Sequence, residues 1–166
     1  MKREYSDIPP LYSEILPGLW QGGTDNEDTV DRPGKLPVVS HESEFEAVVT
    51  LDAYAKPFGW YVKEYRFCFP DGELDPDHVG EIERIADWAF IEWKAGLNTL
   101  IRCQAGLNRS SLVTGLVLLR EGFGPEKTIS SIRSKRGEYA LSNQSYFRYL
   151  ENWKRRSEEH TSELQS

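Results

Sequence analysis

Short runs of β-prone apolar residues recur along this chain, and segments with a helical or a loop-like pattern separate them. Residues 15–20 form an apolar stretch broken by Pro17-Gly18, which predicts a pair of strands at a sheet edge. Residues 45–51 are continuously apolar or β-branched apart from one Glu, as expected for a strand buried on both faces. Residues 60–69 and 99–103 are two further β-prone runs. The pattern therefore predicts a sheet with both edge and central strands.

The remaining patterned segments have helical periodicity. Apolar residues in 77–94 recur at alternating three- and four-residue spacing, between Pro76 and Gly96, which predicts an amphipathic helix. Residues 110–121 are so rich in Leu and Val that the helix they form should be central. Two more amphipathic helices are predicted over 125–136 and 144–155, the second capped by Ser142 or Asn143. The loop-like segment 24–44 is a predicted surface excursion, and the whole pattern indicates an α/β sheet covered by helices.

Composition narrows the class of protein. The chain has 166 residues, which is enough for one compact domain and too few for two ordinary ones. A net charge of −7, without a basic stripe, disfavours general binding to nucleic acid or anionic membranes. No apolar run approaches the ~20 residues of a membrane span, and the amino terminus lacks a secretory signal, so a cytoplasmic location is expected. Two cysteines and three scattered histidines give no zinc-ligand spacing, and no metal or cofactor is expected.

The carboxyl-terminal segment 156–166 differs from the rest of the chain. Its sequence, RSEEHTSELQS, has no apolar periodicity. It resembles the in-frame translation of a sequencing adapter, and the alternative is a disordered native tail. We therefore expect the folded domain to span residues 1–155 and assign no function to the tail.

The sequence LIRCQAGLNRSS, at residues 100–111, is the segment with the clearest chemistry. A β-prone run ends in Cys103, a glycine-containing loop follows, and a hydrophobic helix begins near Arg109. Such a loop directs successive backbone N–H groups inward, and the helix amino terminus adds free donors, so the segment predicts a site for a tetrahedral anion. Arg109 can bind two oxygens of that anion with its planar guanidinium.

The same surroundings suit a nucleophilic cysteine. Helix amino termini and neighbouring cations stabilise thiolates, and the thiolate is the nucleophilic form of Cys103. The hydroxyl of Ser110 can donate a hydrogen bond to the sulfur and help it leave during hydrolysis of an intermediate. The alternative interpretation of Cys103 is a buried structural cysteine.

Cys103, five residues, Arg109 and Ser110 resemble the C-x5-R-S/T signature of the protein tyrosine phosphatase superfamily. The sequence ILPGLWQGG at residues 15–23 resembles the opening strands of dual-specificity phosphatases, and Asn143 with the helix after it resembles their closing helix. The resemblance covers roughly residues 14–153. It implies a single three-layer domain whose central, mostly parallel sheet of four to five strands is flanked by helices. It also implies a phosphate loop formed by Gln104, Ala105, Gly106, Leu107, Asn108 and Arg109.

Phosphoryl transfer also needs a proton for the leaving oxygen, and Asp71 between Pro70 and Gly72 is the candidate general acid. Its distance along the chain from Cys103 resembles the acid-to-nucleophile spacing in dual-specificity enzymes. Asp75 and Asp77 are alternatives.

Three other residues each have two alternative roles. The family usually has His before the nucleophile, whereas this chain has Arg102, which could replace the His as a donor to the loop or mark a weaker enzyme. Asn143 is expected either to brace the phosphate loop or to cap a helix. Cys68 is expected to be an ordinary residue at a strand end, with a redox partnership to Cys103 as the alternative.

The leading hypothesis is hydrolysis of phosphotyrosine, extending to phosphoserine and phosphothreonine, on proteins through a phosphocysteine intermediate. One alternative is a phosphate-recognition module without turnover, motivated by Arg102. Another is an RNA 5′-triphosphatase, which the run from Gly106 to Arg109 resembles, although the acidic charge disfavours RNA. The expected partner is a phosphoprotein or another phosphomonoester, and a monomer is the default.

Overall fold

The computed structural model describes residues 9–25 and 44–154, and the elements below belong to these two ranges. The strands are β1 (Tyr12–Leu16), β2 (Leu19–Gly22), β3 (Ala47–Thr50), β4 (Lys63–Arg66) and β5 (Thr99–Arg102). The helices are α1 (Pro76–Lys94), α2 (Arg109–Glu121), α3 (Pro125–Arg136) and α4 (Gln144–Glu151).

The five described strands form one sheet in the order β1-β2-β5-β3-β4. The edge pair β1 and β2 is antiparallel, joined at Pro17-Gly18, where Gly18 has φ of 80°. The pairs β2–β5, β5–β3 and β3–β4 are all parallel. The predicted α/β fold, with a mostly parallel sheet flanked by helices, is therefore confirmed.

Some predicted boundaries differ from the observed ones. Strand β4 has four residues, shorter than the predicted run 60–69, because the residues before and after it leave the sheet as loop. Helix α4 ends at Glu151 rather than at 155. Most of the predicted excursion 24–44 and the tail 156–166 lie outside the described residues.

The core lies mainly between the sheet and the four described helices. Strand β3 is buried throughout, as its apolar run predicts. Alternate residues of the central strands face opposite ways: Val49 and Ile101 join the larger cluster with the helices, whereas Val48 and Leu100 pack with Phe45 on the other face. This alternation determines the face of the sheet on which each side chain of β5 lies.

Helix α2 occupies the centre of the helical layer, as its Leu and Val content predicts. Ten of its thirteen residues are buried, and it contacts α1, α3, α4, β2 and β5. Its amino terminus lies directly after the loop that leaves the carboxyl end of β5, so the fold fixes the entry and exit of that loop. Within the described ranges, no helix is both long and apolar enough to cross a membrane.

Candidate active site

Cys103 lies at the carboxyl end of β5, where the chain leaves the sheet. Its amide donates to Gly22 O at 3.2 Å, and its residue surface is 2% exposed. The sulfur is 3.3 Å from Ser110 Oγ, in the first turn of α2. When the sulfur is a thiolate it accepts this hydrogen bond, and the hydroxyl is the donor. The predicted pairing of nucleophile and hydroxyl is thus geometrically possible.

The carbonyl groups of the phosphate loop are held from outside the loop. Gln104 O accepts from Thr24 N at 2.9 Å. Leu107 O accepts from Leu141 N at 2.7 Å and from Ser111 Oγ at 2.6 Å. These bonds fix the first and the fourth residue after Cys103.

Two buried side chains hold the middle of the loop. Gly106 O accepts from Arg136 Nε at 2.9 Å and from Gln21 Nε2 at 3.1 Å. Ala105 O accepts a longer bond of 3.4 Å from Arg136 Nη2. Gly106 has φ of 70°, and a Cβ atom there would lie 2.5 Å from Arg136 Nη2 and 2.6 Å from the carbonyl carbon of Gly22. Only glycine therefore fits this position.

The outward carbonyls determine the direction of the amides. In a trans peptide the N–H points opposite to the preceding C=O, and the described residues contain no cis bond. The N–H groups of residues 105–108 therefore turn toward the inside of the loop. Helix α2 follows at Arg109, and its N-cap, Asn108, makes no side-chain capping bond, so the helix amino terminus stays open to a ligand. This arrangement suits an anion with several oxygens.

Arg109 supplies the cation of the site. Its Nη1 donates to Phe69 O at 3.1 Å and, more weakly, to Leu51 O at 3.5 Å. Its Nε is buried and has no hydrogen-bond partner among the described residues. An unsatisfied buried donor is costly, and a bound oxyanion would remove that cost.

Relatives of known fold share this arrangement of elements. No protein-family model matches the chain. The crystal structure of human DUSP28 superposes with a TM-score of 0.69 at 19% identity, over 96% of this chain and 98% of that one. A mouse putative dual specificity phosphatase gives a TM-score of 0.66 at 20% identity, over 99% of this chain and 95% of that one. The chain has the dual-specificity phosphatase fold. The fold that the sequence resemblance implied is thereby confirmed.

The sequence comparison agrees with the structural one. A probable protein tyrosine phosphatase type IVA B of Dictyostelium discoideum is 37% identical over 90 residues, which are 52% of this chain and 54% of that protein. The chain thus spans about half the length of the curated relatives that it matches.

In this phosphatase fold, Asp71 lies next to the phosphate loop. Its Oδ2 accepts from Asn108 Nδ2 at 3.1 Å, and its Oδ1 accepts from Asn143 Nδ2 at 2.9 Å. Asp75 instead caps α1, accepting from Asp77 N at 2.9 Å. The structure therefore brings Asp71, rather than Asp75, into contact with the loop.

Asn143 both caps a helix and contacts the phosphate loop, the two alternatives that the sequence left open. Its Oδ1 accepts from Tyr146 N at 3.2 Å and caps α4, while its backbone N donates to Asn108 Oδ1 at 2.9 Å. Cys68 is a half-buried free thiol, and its redox role stays a prediction.

Arg102 is placed differently from the expectation that it supports the loop. It is 1% exposed and shares the face of Leu100, opposite to Cys103, because adjacent residues of a strand alternate. Its Nε donates to Thr50 Oγ1 at 3.0 Å and its Nη2 to Lys56 O at 2.6 Å, and its guanidinium lies 4.3 Å from the Phe58 ring centroid. These contacts tie β5 to β3 and to the loop after β3.

Gln21 and Arg136, which the sequence pattern did not predict as site residues, hold the loop from behind. Gln21 also donates to Ser110 Oγ at 3.2 Å and to Ser111 Oγ at 2.7 Å. Arg136 also donates to Pro10 O and to Ser13 Oγ. Burial lowers the pKa of the Arg136 guanidinium, and negative charge on Cys103 acts in the opposite direction. Gly23, directly after β2, lets the chain approach the loop closely, since a Cβ there would lie 2.7 Å from Gln104 O.

Proposed function

We propose that this chain hydrolyses phosphomonoesters, foremost phosphotyrosine and also phosphoserine and phosphothreonine on proteins, through a phosphocysteine intermediate on Cys103. The observation that carries the proposal is the buried Nε of Arg109, which has no hydrogen-bond partner within residues 9–25 and 44–154 and lies on the same loop as Cys103. A phosphoryl group would satisfy that donor and the inward amides together.

In the first step the thiolate of Cys103 attacks phosphorus. An S–P bond forms while the bond from phosphorus to the leaving oxygen breaks, and Asp71 gives its proton to that oxygen. Arg109 and the inward amides stabilise the charge on the three oxygens of the transferred phosphoryl group. The products of this step are a free alcohol or phenol and phosphocysteine.

In the second step water attacks the phosphocysteine. Asp71, now a carboxylate, takes a proton from the water, and a P–O bond forms as the S–P bond breaks. Ser110 Oγ lies within hydrogen-bond distance of the sulfur and can stabilise the departing thiolate. The products are inorganic phosphate and the starting enzyme. Side chains and backbone groups of this chain thus supply the attacking thiolate of the first step and stabilise the charge in both steps.

The presence of Arg102 at the position where the family usually has His is compatible with turnover. The loop receives its buried hydrogen bonds from Gln21 and Arg136, while Arg102 serves the opposite face of the sheet. A His donor before the nucleophile is therefore not required to hold this loop in shape.

The test is release of phosphate from para-nitrophenyl phosphate and from a phosphotyrosine peptide by purified protein in EDTA. We expect turnover by the wild type, loss of turnover in Cys103→Ser, and retention in Cys68→Ser, which changes the other cysteine. Activity that persists in Cys103→Ser, or that requires an added metal, would contradict the proposal. Peptides with phosphoserine and phosphothreonine in the same sequence measure the breadth of specificity.

A further inference from the structure

The carboxylate of Asp71 is held at both oxygens by side-chain amides from two different elements. Asn108 belongs to the phosphate loop and donates to Oδ2 at 3.1 Å, and Asn143, at the start of α4, donates to Oδ1 at 2.9 Å. The two asparagines are also bonded to each other, since Asn143 N donates to Asn108 Oδ1 at 2.9 Å. We call these three residues the amide clamp.

The orientation of each amide in the clamp follows from its other partners. The Oδ1 atom of Asn108 accepts from Asn143 N and, at 3.3 Å, from Ser142 Oγ, so Nδ2 must face Asp71. The Oδ1 atom of Asn143 accepts from Tyr146 N, and Nδ2 donates to Gly72 O at 2.8 Å as well as to Asp71. A flip of either amide would place an oxygen against a carboxylate. The donors therefore point to Asp71.

Asn108 occupies a position where its ordinary role would be different. It is the N-cap of α2, and asparagine is among the residues that best cap a helix through the side-chain oxygen. Here that side chain makes no capping bond and reaches instead to Asp71 and Asn143. The amino terminus of α2 therefore stays open to a ligand, while the side chain of Asn108 is bonded to Asp71.

The segment around Asp71 is otherwise attached to α4 on both sides. Tyr146 Oη donates to Pro70 O at 3.0 Å, and Leu74 N donates to Ser145 Oγ at 2.8 Å. These bonds locate the backbone of the segment, whereas the position of the carboxyl group itself depends on the clamp. Asn108 provides the side-chain link in the clamp from the acid to the phosphate loop.

We propose that Asn108 and Asn143 are positioning residues that hold the carboxyl group of Asp71 at the leaving oxygen of a substrate bound in the phosphate loop. The inference rests on the proposed function, in which the proton of Asp71 passes to that oxygen as its bond to phosphorus breaks. Proton transfer requires hydrogen-bond distance between donor and acceptor, so a displaced carboxyl group loses rate even when the fold is intact.

The experiment compares two substrates whose leaving groups differ in basicity. Phenyl phosphate releases a basic phenoxide that needs the proton, whereas 2,4-dinitrophenyl phosphate releases a weakly basic one that does not. We measure kcat/KM, which reports the steps up to formation of the phosphoenzyme. Variants are Asn108→Ala and Asn143→Ser, the latter chosen because Ser also caps helices and keeps that role. Asp71→Asn is the reference, and Gln144→Ala is the control, since Gln144 is an exposed neighbour of Asn143 and lies outside the amide clamp.

We expect Asn108→Ala and Asn143→Ser each to lower kcat/KM about tenfold on phenyl phosphate, with little change on 2,4-dinitrophenyl phosphate. Asp71→Asn should show the same preference for the second substrate, with a larger loss of roughly a hundredfold on phenyl phosphate. Gln144→Ala should resemble the wild type on both. Equal losses on the two substrates would overturn the clamp while leaving the proposed function standing. A wild type that turns over neither substrate would overturn both.

Discussion

The phosphate loop has two sides, and the protein holds them with different kinds of contact. Behind the loop, Gln21 is fully buried and Arg136 is 3% exposed, and both donate to loop carbonyls. In front, the exposed Asp71 and the half-buried Asn108 and Asn143 are joined by side-chain hydrogen bonds near solvent.

Because of this difference, the contacts behind the loop determine its shape, whereas the contacts in front of it affect the chemistry. A buried polar group that loses its partner costs more free energy than the bond itself contributes, so the rear contacts keep the loop in one shape. Hydrogen bonds near solvent can be exchanged for bonds to water at small cost, so the acid side can adjust to a substrate. We therefore expect rear variants to change stability and front variants to change turnover.

The largest effect is expected at Arg136. Arg136→Ala removes donors to Gly106 O, Ala105 O, Pro10 O and Ser13 Oγ, and should lower the free energy of unfolding by about 3 kcal/mol. Urea denaturation measures it. Arg133→Ala, an arginine of the same helix turn that is only partly buried, is the matched control and should cost less. Equal costs would contradict the special role of the rear contacts.

Gln21 should give the next largest change. Gln21→Leu loses the donors to Gly106 O and Ser111 Oγ, which we expect to cost about 2 kcal/mol of unfolding free energy. The loss is limited because Gln21 Oε1 is itself buried without a partner in the described structure, and Leu removes that atom. Gln144→Ala, at an exposed glutamine of α4, should change stability by less than about 0.5 kcal/mol. An unchanged stability in Gln21→Leu would show that the loop does not depend on this residue.

Ser110 lies between the two sides, and its variant should alter kinetics more than stability. Ser110→Ala removes the hydroxyl 3.3 Å from the sulfur of Cys103, so departure of the thiolate should slow about tenfold. Stopped-flow measurement with para-nitrophenyl phosphate should then show a larger burst of nitrophenol before a slower steady state. Slowing of the burst and of the steady state to the same extent would refute this role.

The smallest effect is expected at Tyr146. Tyr146→Phe removes the bond to Pro70 O and should cost about 1 kcal/mol of stability. Burial raises the pKa of Tyr146 above its ordinary value of 10.0, so the hydroxyl is protonated, and its contribution should be constant between about pH 6 and 9 and decline only at more alkaline pH. Thermal unfolding at several pH values measures this, with Tyr54→Phe, at a 71% exposed tyrosine, as control. A cost that changes between pH 6 and 9 would be inconsistent with a protonated hydroxyl.

The phosphate loop itself was largely predictable from the sequence because its parts are local. Cys103, the loop and Arg109 are contiguous, and a strand followed by a helix places Cys103 and Arg109 at the two ends of one short loop. Asp71 could be proposed from its spacing and its Pro and Gly neighbours. Its contact with Asn108 and Asn143 could not, since that depends on how α4 packs.

The rear of the site was not predictable, because its contacts join distant parts of the chain. Gln21 stands in β2, next to the edge strand, and Arg136 at a helix end, and both residue types are ordinarily exposed. Arg102 was the opposite case: strand alternation with Leu100 could have placed it on the face away from Cys103 before the structure was known.

The proposed mechanism requires phosphate to become covalently bound to the sulfur of Cys103. Rapid acid quenching of the protein during turnover of a phosphotyrosine peptide, followed by peptide mapping, detects this phosphocysteine. We predict one phosphate on the peptide that contains Cys103, and none in Cys103→Ser. Turnover by the wild type with no phosphate on that peptide, or with phosphate attached to another residue, would contradict the account.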